Sequence, residues 1–354
     1  MANKREKKPE KSMFRSMVKY VIVFIALIVI TFWLIFKDQD IGGVFDALKH
    51  VNYWYILLGI VIMFGYLTVQ AENMRKILAC FGERISLLKS LKFTMIEFFF
   101  CALTPGASGG QPVEIYYMNK EKISTPKATL AVLVQILDFQ IAVMAIGIIS
   151  QAVMWFTDPS LLTGTVSWLI RIGMIINGVA LVALAFCIFS NRMTRMIVDW
   201  VLKLLKKVGV KNIEEKRASL NKSLGSYQEG AKFIRTHRKE FLLSIGRALL
   251  QVSLYYLIPF CVYKAFGLGN MTVIQIFNIQ SVLFLATSGL PLPGAIGASE
   301  SVFLTLYGAA FGEQLVSSAM LLNRGISFYL FVLITMVVVM FNAVSLKRRE
   351  LRKH

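Results

Sequence analysis

The chain has 354 residues, of which 56% are hydrophobic, and its 39 Lys and Arg against 20 Asp and Glu give a net charge of +19. A mean hydropathy of +0.63 is too apolar for a soluble domain of this length and predicts an all-α polytopic membrane protein. The charge does not indicate nucleic-acid binding, because the basic residues stand in blocks beside apolar runs and form no reader motif.

The N-terminal region combines a basic stretch with the first apolar run. Residues 1–20 hold seven Lys and Arg, and the run 20–36 follows. No small-x-small cleavage site follows the run, so we interpret it as a retained membrane anchor rather than a signal peptide. About five further full spans are predicted along the chain, which makes about six in all. They lie near residues 53–70, 130–155, 169–189, 241–265 and 320–344.

Basic residues alternate with nearly uncharged loops, which indicates topology. Segment 190–240 holds thirteen Lys and Arg, whereas segments 38–52 and 157–168 together hold only Lys49. The positive-inside rule then places residues 1–19, segment 190–240 and the tail 346–354 in the cytoplasm. Apolar residues at helical spacing in segment 190–240 predict an amphipathic helix on the membrane surface. Attraction to anionic lipid headgroups is a second role for these charges.

One short motif occurs twice. Residues 104–114 read TPGASGGQPVE and residues 291–300 read PLPGAIGASE, and both contain Pro-Gly-Ala-x-Gly followed by a glutamate. Each copy interrupts apolar sequence, and a helix broken inside a bilayer needs its freed backbone groups satisfied by protein or water. Paired breaks in corresponding halves of a membrane protein indicate a substrate site between two repeats.

The charges flanking each motif predict two re-entrant hairpins that enter from opposite faces. Residues 93–118 would enter from the cytoplasm and residues 273–312 from outside. Residues 20–345 then form one transmembrane domain, with repeat 1 near 53–156 and repeat 2 near 241–345 in an inverted arrangement. In a rival interpretation each hairpin makes two full crossings, which still leaves both motifs at membrane depth.

The motif backbone could bind an anion. The second half-helix of each hairpin would point its N-terminal N–H groups at the bilayer interior, where a phosphate headgroup is a natural ligand. Pro112 suits the first turn of such a helix, and the glycines allow a ligand to approach the backbone. Alternatively, the small residues serve close helix packing. The candidate binding positions are Pro105, Gly106, Gly109, Gly110, Pro293, Gly294 and Gly297.

Four charged residues at membrane depth are further candidates. Glu114 and Glu300 are predicted in the first turns of their half-helices, either compensating the helix dipole or carrying a proton or contacting a cationic headgroup. Asp138 and Arg324 each lie 24 residues after one of these glutamates. They form a buried ion pair with each other or with other buried charges, or Arg324 holds a phosphate while Asp138 accepts a proton or an ammonium group.

Weaker candidates lie near span ends or carry amides. Arg75 and Arg247 are plausible members of the site, and Gln135, Gln251, Asn177 and Gln280 could line it. The three histidines and four cysteines form no catalytic or metal-ligating pattern, so neither a metal nor a cofactor is predicted. An ATP-driven pump is disfavoured because no phosphate-binding loop is present.

At this point several segments resemble a known family. Residues 103–114 and 291–300 are similar to the two signatures of the lysylphosphatidylglycerol synthase/flippase transmembrane family, also called the UPF0104 family. Residues 134–138 and 321–329 resemble its other intramembrane stretches, and the resemblance covers about 15–345. Gln135 stands where the family tends to have a basic residue, which leaves the charge of the headgroup open.

The resemblance implies a flippase-like domain of the bacterial inner membrane. Such a domain moves an aminoacylated or other anionic lipid between leaflets, an activity associated with resistance to cationic antimicrobial peptides. Full-length relatives add a cytoplasmic domain that transfers lysine from lysyl-tRNA to phosphatidylglycerol. Because this chain ends at His354, just after its last span, we expect no such domain, and enzymatic activity is not predicted.

The predicted function is therefore transport of a lipid with a phosphate headgroup, either aminoacylated or linked to a polyprenyl phosphate. One alternative is the membrane part of a phosphatidylglycerol lysyltransferase that needs a separate synthetase. Another is a membrane scaffold in which segment 190–240 docks a cytoplasmic partner. A secondary transporter of small solutes is the remaining alternative.

Overall fold

The computed structural model describes residues 41–104, 106–157, 159, 164–189, 236–288 and 295–351. Within these ranges the protein is all-helical, with no strand. The predicted first span 20–36 and segment 190–235 lie outside the described residues, as do Pro105, Pro293 and Gly294 of the two motifs.

Ten α-helices and one π-helical turn make up the described chain. They are α1 (Ile41–Lys49), α2 (Tyr53–Cys80), α3 (Leu87–Leu103), α4 (Gly110–Lys120), α5 (Thr125–Thr157), α6 (Gly164–Phe189), α7 (Arg238–Ala265), α8 (Val273–Ser288), α9 (Ala298–Arg324), the π turn (Gly325–Tyr329) and α10 (Leu330–Leu351). Five stretches are long and apolar enough to cross a membrane: α2, α5, α6, α7 and the run 298–342 through α9, the π turn and α10. The multi-pass all-α class predicted from composition is confirmed.

The two halves repeat the same order of helices. In each, a long helix (α2 or α7) precedes a shorter one (α3 or α8), then the Pro-Gly-Ala motif, then a helix that opens the second arm of the hairpin. The second arm is α4 in the first half. In the second half it is the start of α9, which is kinked at Gly312, where φ is 72° and ψ is 163°. The predicted second hairpin ends at this same glycine.

The first hairpin is longer than predicted. Its first arm, α3, begins at Leu87 and includes Lys89 and Lys92, whereas the sequence placed the start at residue 93. Ser86 caps α3 by accepting a hydrogen bond from the Lys89 N–H at 3.3 Å. The cap sets the first turn, and the two lysines are tolerated there because their head groups reach Glu121 beyond the end of α4.

Each hairpin packs on the other half of the molecule. The most extensive contact joins α2 and α7, one from each half. Around this pair, α3 packs on α10, and α8 packs on α5 and α6. Such reciprocal packing is expected when a pseudo-twofold axis relates two repeats. It leaves the two motif loops facing a common interior.

The outer surface of the bundle is apolar. Helix α6 exposes Ile175 and Val179, and the end of α5 exposes Trp155 and Phe156. Large apolar side chains exposed over whole helix faces are the pattern expected where hydrocarbon replaces water.

Candidate functional site: a polar cavity between the two halves

A cavity of about 410 Å³ lies between the two halves. Helices α2, α3, α4 and α5 line one side, and α7, α8, α9 and the π turn line the other. Its wall mixes charged, amide and hydroxyl groups with aromatic rings. The polar members include Glu97, Gln70, Gln111, Gln135, Gln251, Gln280, Asn323, Arg324 and Ser327.

Both motif loops reach this cavity in the same unusual conformation. Ala107 in the first motif has φ of 53°, and Ala295 at the equivalent place in the second has φ of 52°. Both residues line the cavity, with Gly106 beside the first. The left-handed region is uncommon for residues other than glycine, and such strain concentrates at functional sites. At their described positions, the two motif copies therefore each place a left-handed alanine at the same cavity.

Two of the predicted motif glycines allow close helix packing. A Cβ on Gly110 would lie 2.2 Å from the Cys101 Sγ and 2.6 Å from the Glu97 carbonyl oxygen, and a Cβ on Gly109 would lie 2.4 Å from Thr104 Cγ2. These contacts fit the alternative that the small residues serve packing. They also bring α3 and α4 together directly behind the first loop.

Arg324 and Glu300 form a buried pair. Arg324 Nε donates to Glu300 Oε1 at 2.6 Å, and its Nη2 donates to the Ser299 hydroxyl at 2.5 Å. The guanidinium carbon also lies 4.8 Å from the centre of the Phe328 ring. Glu300 completes the arrangement by accepting the Gly297 N–H at 2.7 Å, at the N-terminus of α9. Glu300 and Arg324, which are 24 residues apart in the sequence, are thus in direct contact in the second half.

Glu114 does not occupy the equivalent position, and its predicted place in the first turn of its helix is wrong. It lies five residues after the capping Gly109, whereas Glu300 lies three residues after Gly297. The additional two residues rotate Glu114 about 200° around the helix axis, so it cannot cap. Its side chain is 1% exposed, and within the described residues its Oε1 has no hydrogen-bond partner.

Asp138 belongs to a separate polar network. It accepts a hydrogen bond from Asn73 Nδ2 at 2.8 Å, and Asn73 Oδ1 accepts from Arg247 Nε at 2.9 Å. Arg247 in turn pairs with Glu240. This network joins α2, α5 and α7 away from the cavity wall. The other weak candidate arginine, Arg75, pairs with Glu72 of its own helix at 2.6 Å.

Sequence reasoning missed Glu97. This side chain lines the cavity, and its two oxygens accept from Gln70 Nε2 at 2.5 Å and from Gln111 Nε2 at 3.3 Å. Gln70 is linked in turn to Gln251 across the α2–α7 contact at 3.2 Å. The signal was present, since Glu97 interrupts an apolar run, and an ionisable residue at membrane depth indicates function.

Several buried polar atoms on the cavity wall lack a hydrogen-bond partner within the described residues. They are Gln135 Oε1, Asn323 Oδ1 and Ser327 Oγ. Two other predicted amides are engaged: Gln280 accepts from the Tyr307 hydroxyl at 3.1 Å, and Asn177 accepts from Gln140 Nε2 at 2.9 Å. Buried polar groups are normally paired, so the three atoms point to a polar ligand.

The cavity thus offers a cation, a carboxylate and unpaired amide and hydroxyl groups among aromatic rings. Such a wall suits a polar headgroup attached to apolar chains. Among the described residues, no group of His, Cys, Asp and Glu side chains is placed to hold a metal ion.

Comparison with known proteins agrees with this architecture. The family model described as "Lysylphosphatidylglycerol synthase TM region" matches residues 18–335. A protein named "UPF0104 membrane protein" from Archaeoglobus fulgidus is 21% identical over 280 residues, covering 77% of this chain and 82% of its own length. A Mycoplasma pneumoniae protein named "Uncharacterized protein MG306 homolog" is 24% identical over 344 residues, covering 87% of this chain and 82% of its own length. The chain belongs to the lysylphosphatidylglycerol synthase transmembrane-region family, a family of multi-pass membrane proteins.

Proposed function

We propose that the protein moves a phospholipid between the leaflets of the cell membrane, with the lipid headgroup in the cavity between its two halves. The observation that carries this proposal is the cavity itself, because both halves contribute polar groups and a strained motif loop to it. Family membership supports a function tied to membrane lipids. The acyl chains would stay in hydrocarbon beside the bundle.

The charges of the cavity favour a headgroup that carries a cation as well as a phosphate. Arg324 supplies the cation for a phosphate, but Glu300 already compensates its charge. Glu97 is held by the neutral amides Gln70 and Gln111, so within the described part of the wall no cation compensates its carboxyl group. A headgroup ammonium near Glu97 and a headgroup phosphate near Arg324 would each lie beside a side chain of opposite charge.

The twofold arrangement supplies a route for alternating access. Each hairpin packs on the helices of the opposite half, so rocking one half against the other would open the cavity to one leaflet and then to the other. The packed α2–α7 pair would form the axis of this motion.

The experiment is headgroup translocation in proteoliposomes, measured with fluorescent zwitterionic, anionic and aminoacylated phospholipids and a membrane-impermeant quencher. The test variant is Asn323→Leu, which removes an unpaired amide from the cavity wall. The matched control is Asn342→Leu, because Asn342 is also buried with an unpaired amide atom but does not line the cavity.

We expect the wild type and Asn342→Leu to move at least one lipid class at similar rates. We expect Asn323→Leu to slow translocation about tenfold, which corresponds to one lost hydrogen bond. Absence of translocation for every lipid class, or equal rates in the two variants, would count against headgroup transport through this cavity.

A further inference from the structure

A pair of carboxyl groups lies behind the first motif loop, and the proposed function uses only one of them. Glu97 on α3 lies on the cavity wall, and Glu114 on α4 is buried at 1% exposure. Glu97 Oε1 accepts a hydrogen bond from Gln111 at 3.3 Å, and Glu114 lies three residues after Gln111 on the same face of α4. The glycine contact between the two helices, where a Cβ on Gly110 would strike the Glu97 carbonyl oxygen, fixes this proximity.

No cation compensates this pair within the described residues. Among the described residues, Glu97 accepts hydrogen bonds from the neutral amides of Gln70 and Gln111, and one Glu114 oxygen has no hydrogen-bond partner. By contrast, the other buried glutamate in a motif, Glu300, has Arg324. Two like charges without a counterion cannot both persist at close range in a medium of low polarity. A proton retained by the pair would remove this repulsion.

The other ionisable groups around the pair, as far as the structure describes them, supply no free cation. Cys101 on α3 interacts electrostatically with both carboxyl groups, and Tyr66 on α2 interacts with Glu97. On the other elements packed against α3 and α4, Asp138 is held by Asn73, and Tyr329 contacts Glu300. Across the cavity, Arg324 is engaged by the same glutamate.

We propose that Glu97 and Glu114 form a proton-binding site that exchanges with the cavity through Glu97, and that a proton leaves this site for the cavity when the lipid headgroup binds. The proton-binding site does not depend on lipid transport, whereas its coupling to the headgroup rests on the proposed function. Glu97 would release its proton when a headgroup ammonium arrives, because the ammonium can compensate the carboxylate. Glu114, sealed behind it, would keep the remaining proton. No bond other than O–H breaks or forms.

Infrared spectroscopy of the reconstituted protein tests the site without transport. A protonated carboxyl group shows a carbonyl stretch that an ionised carboxylate lacks. At neutral pH, we expect this band to be present in the wild type and to lose intensity in Glu97→Gln/Glu114→Gln. Glu83→Gln/Glu121→Gln is the matched control, because both of its glutamates pair with lysines. Equal band intensities in the test variant and the wild type would overturn the proton-binding site. A wild-type band that disappears when sodium replaces a large organic cation in the buffer would also overturn it.

A pH gradient across proteoliposomes tests the coupling. We expect an imposed gradient to change the wild-type translocation rate severalfold. The rate of Glu97→Gln should not depend on the gradient. Measurable wild-type translocation at a rate that does not depend on the gradient would overturn the coupling. It would not contradict the proposed lipid transport. An infrared band that behaves as expected, together with no translocation of any lipid, would overturn the proposed function and its coupling but leave the proton site standing.

Discussion

At the scale of single residues, the Arg324–Glu300 pair is the best-defined part of the site. Both side chains are more than nine-tenths buried, and their atoms are 2.6 Å apart. Removing one member of such a pair leaves the other charged group buried without a partner. We therefore expect Arg324→Met or Glu300→Gln alone to lower the free energy of unfolding by about 3–5 kcal/mol, measured by chemical denaturation in mild detergent.

The double variant Arg324→Met/Glu300→Gln separates pairing from packing. It removes both charges, so much of the lost stability should return. The exposed pair Lys49 and Asp46, whose side chains are 70% and 66% exposed, is the control. Lys49→Met should change stability by about 0–1 kcal/mol. An equally small effect of Arg324→Met would contradict a compensated buried charge.

Outside the membrane, Glu121 gives a pH-dependent prediction. Burial raises the pKa of this carboxyl, but Lys92 at 2.8 Å and Lys89 at 3.3 Å more than offset that effect, so the pKa is lowered. A lowered folded-state pKa stabilises the protein above the unfolded value of about 4.3, and this contribution disappears as the pH falls through the folded pKa.

Glu121→Gln should therefore destabilise the protein at neutral pH by about 0.5–1 kcal/mol. It should have no effect at a pH where Glu121 is protonated in both states. Denaturation curves of the variant and the wild type across this pH range measure the difference. Glu313→Gln, at an exposed position, is the control for the substitution itself. A Glu121→Gln effect independent of pH would show that the ion pairs with the lysines contribute nothing.

At the scale of helices, the tightest crossing joins α6 and α8. A Cβ on Gly173 would lie 2.0 Å from the backbone oxygen of Leu285, so no side chain can move to make room. Gly173→Ala should destabilise the fold by about 1–3 kcal/mol, measured as the shift of a thermal unfolding curve. A Cβ on Gly178 of the same helix would make only an ordinary van der Waals contact, 3.8 Å from Met144 Cε. Gly178→Ala should be neutral or slightly stabilising, and equal effects of the two substitutions would contradict the crossing.

The helix breaks were predictable, but the partners of the charged residues were not. Glycine and proline in apolar sequence marked both motifs, because backbone conformation there depends on local residue type. Which groups Glu114 and Glu300 contact depends on helix phase, and a difference of two residues separates their surroundings. The Arg324 contact with Glu300 and the position of Glu97 on the cavity wall depend on packing between distant segments, which local patterns do not encode.

At the scale of the whole molecule, two similar halves enclose one polar cavity inside an apolar exterior. The sequence indicated this duplication through its repeated motif, and the matching left-handed alanines Ala107 and Ala295 express it in the backbone. The opposite orientation of the two hairpins in the membrane remains a prediction from the charges of the loops. We propose that a lipid headgroup enters between these halves.

The most direct test of that claim is photolabelling with a phospholipid that carries its reactive group on the headgroup, followed by mapping of the labelled residues by mass spectrometry. We predict labels on side chains of the cavity wall, such as Phe98, Phe284 and Phe328. Unlabelled lipid of the transported class should suppress them. Labels confined to outward-facing residues such as Trp54 and Phe156, with none on the cavity wall, would contradict the account.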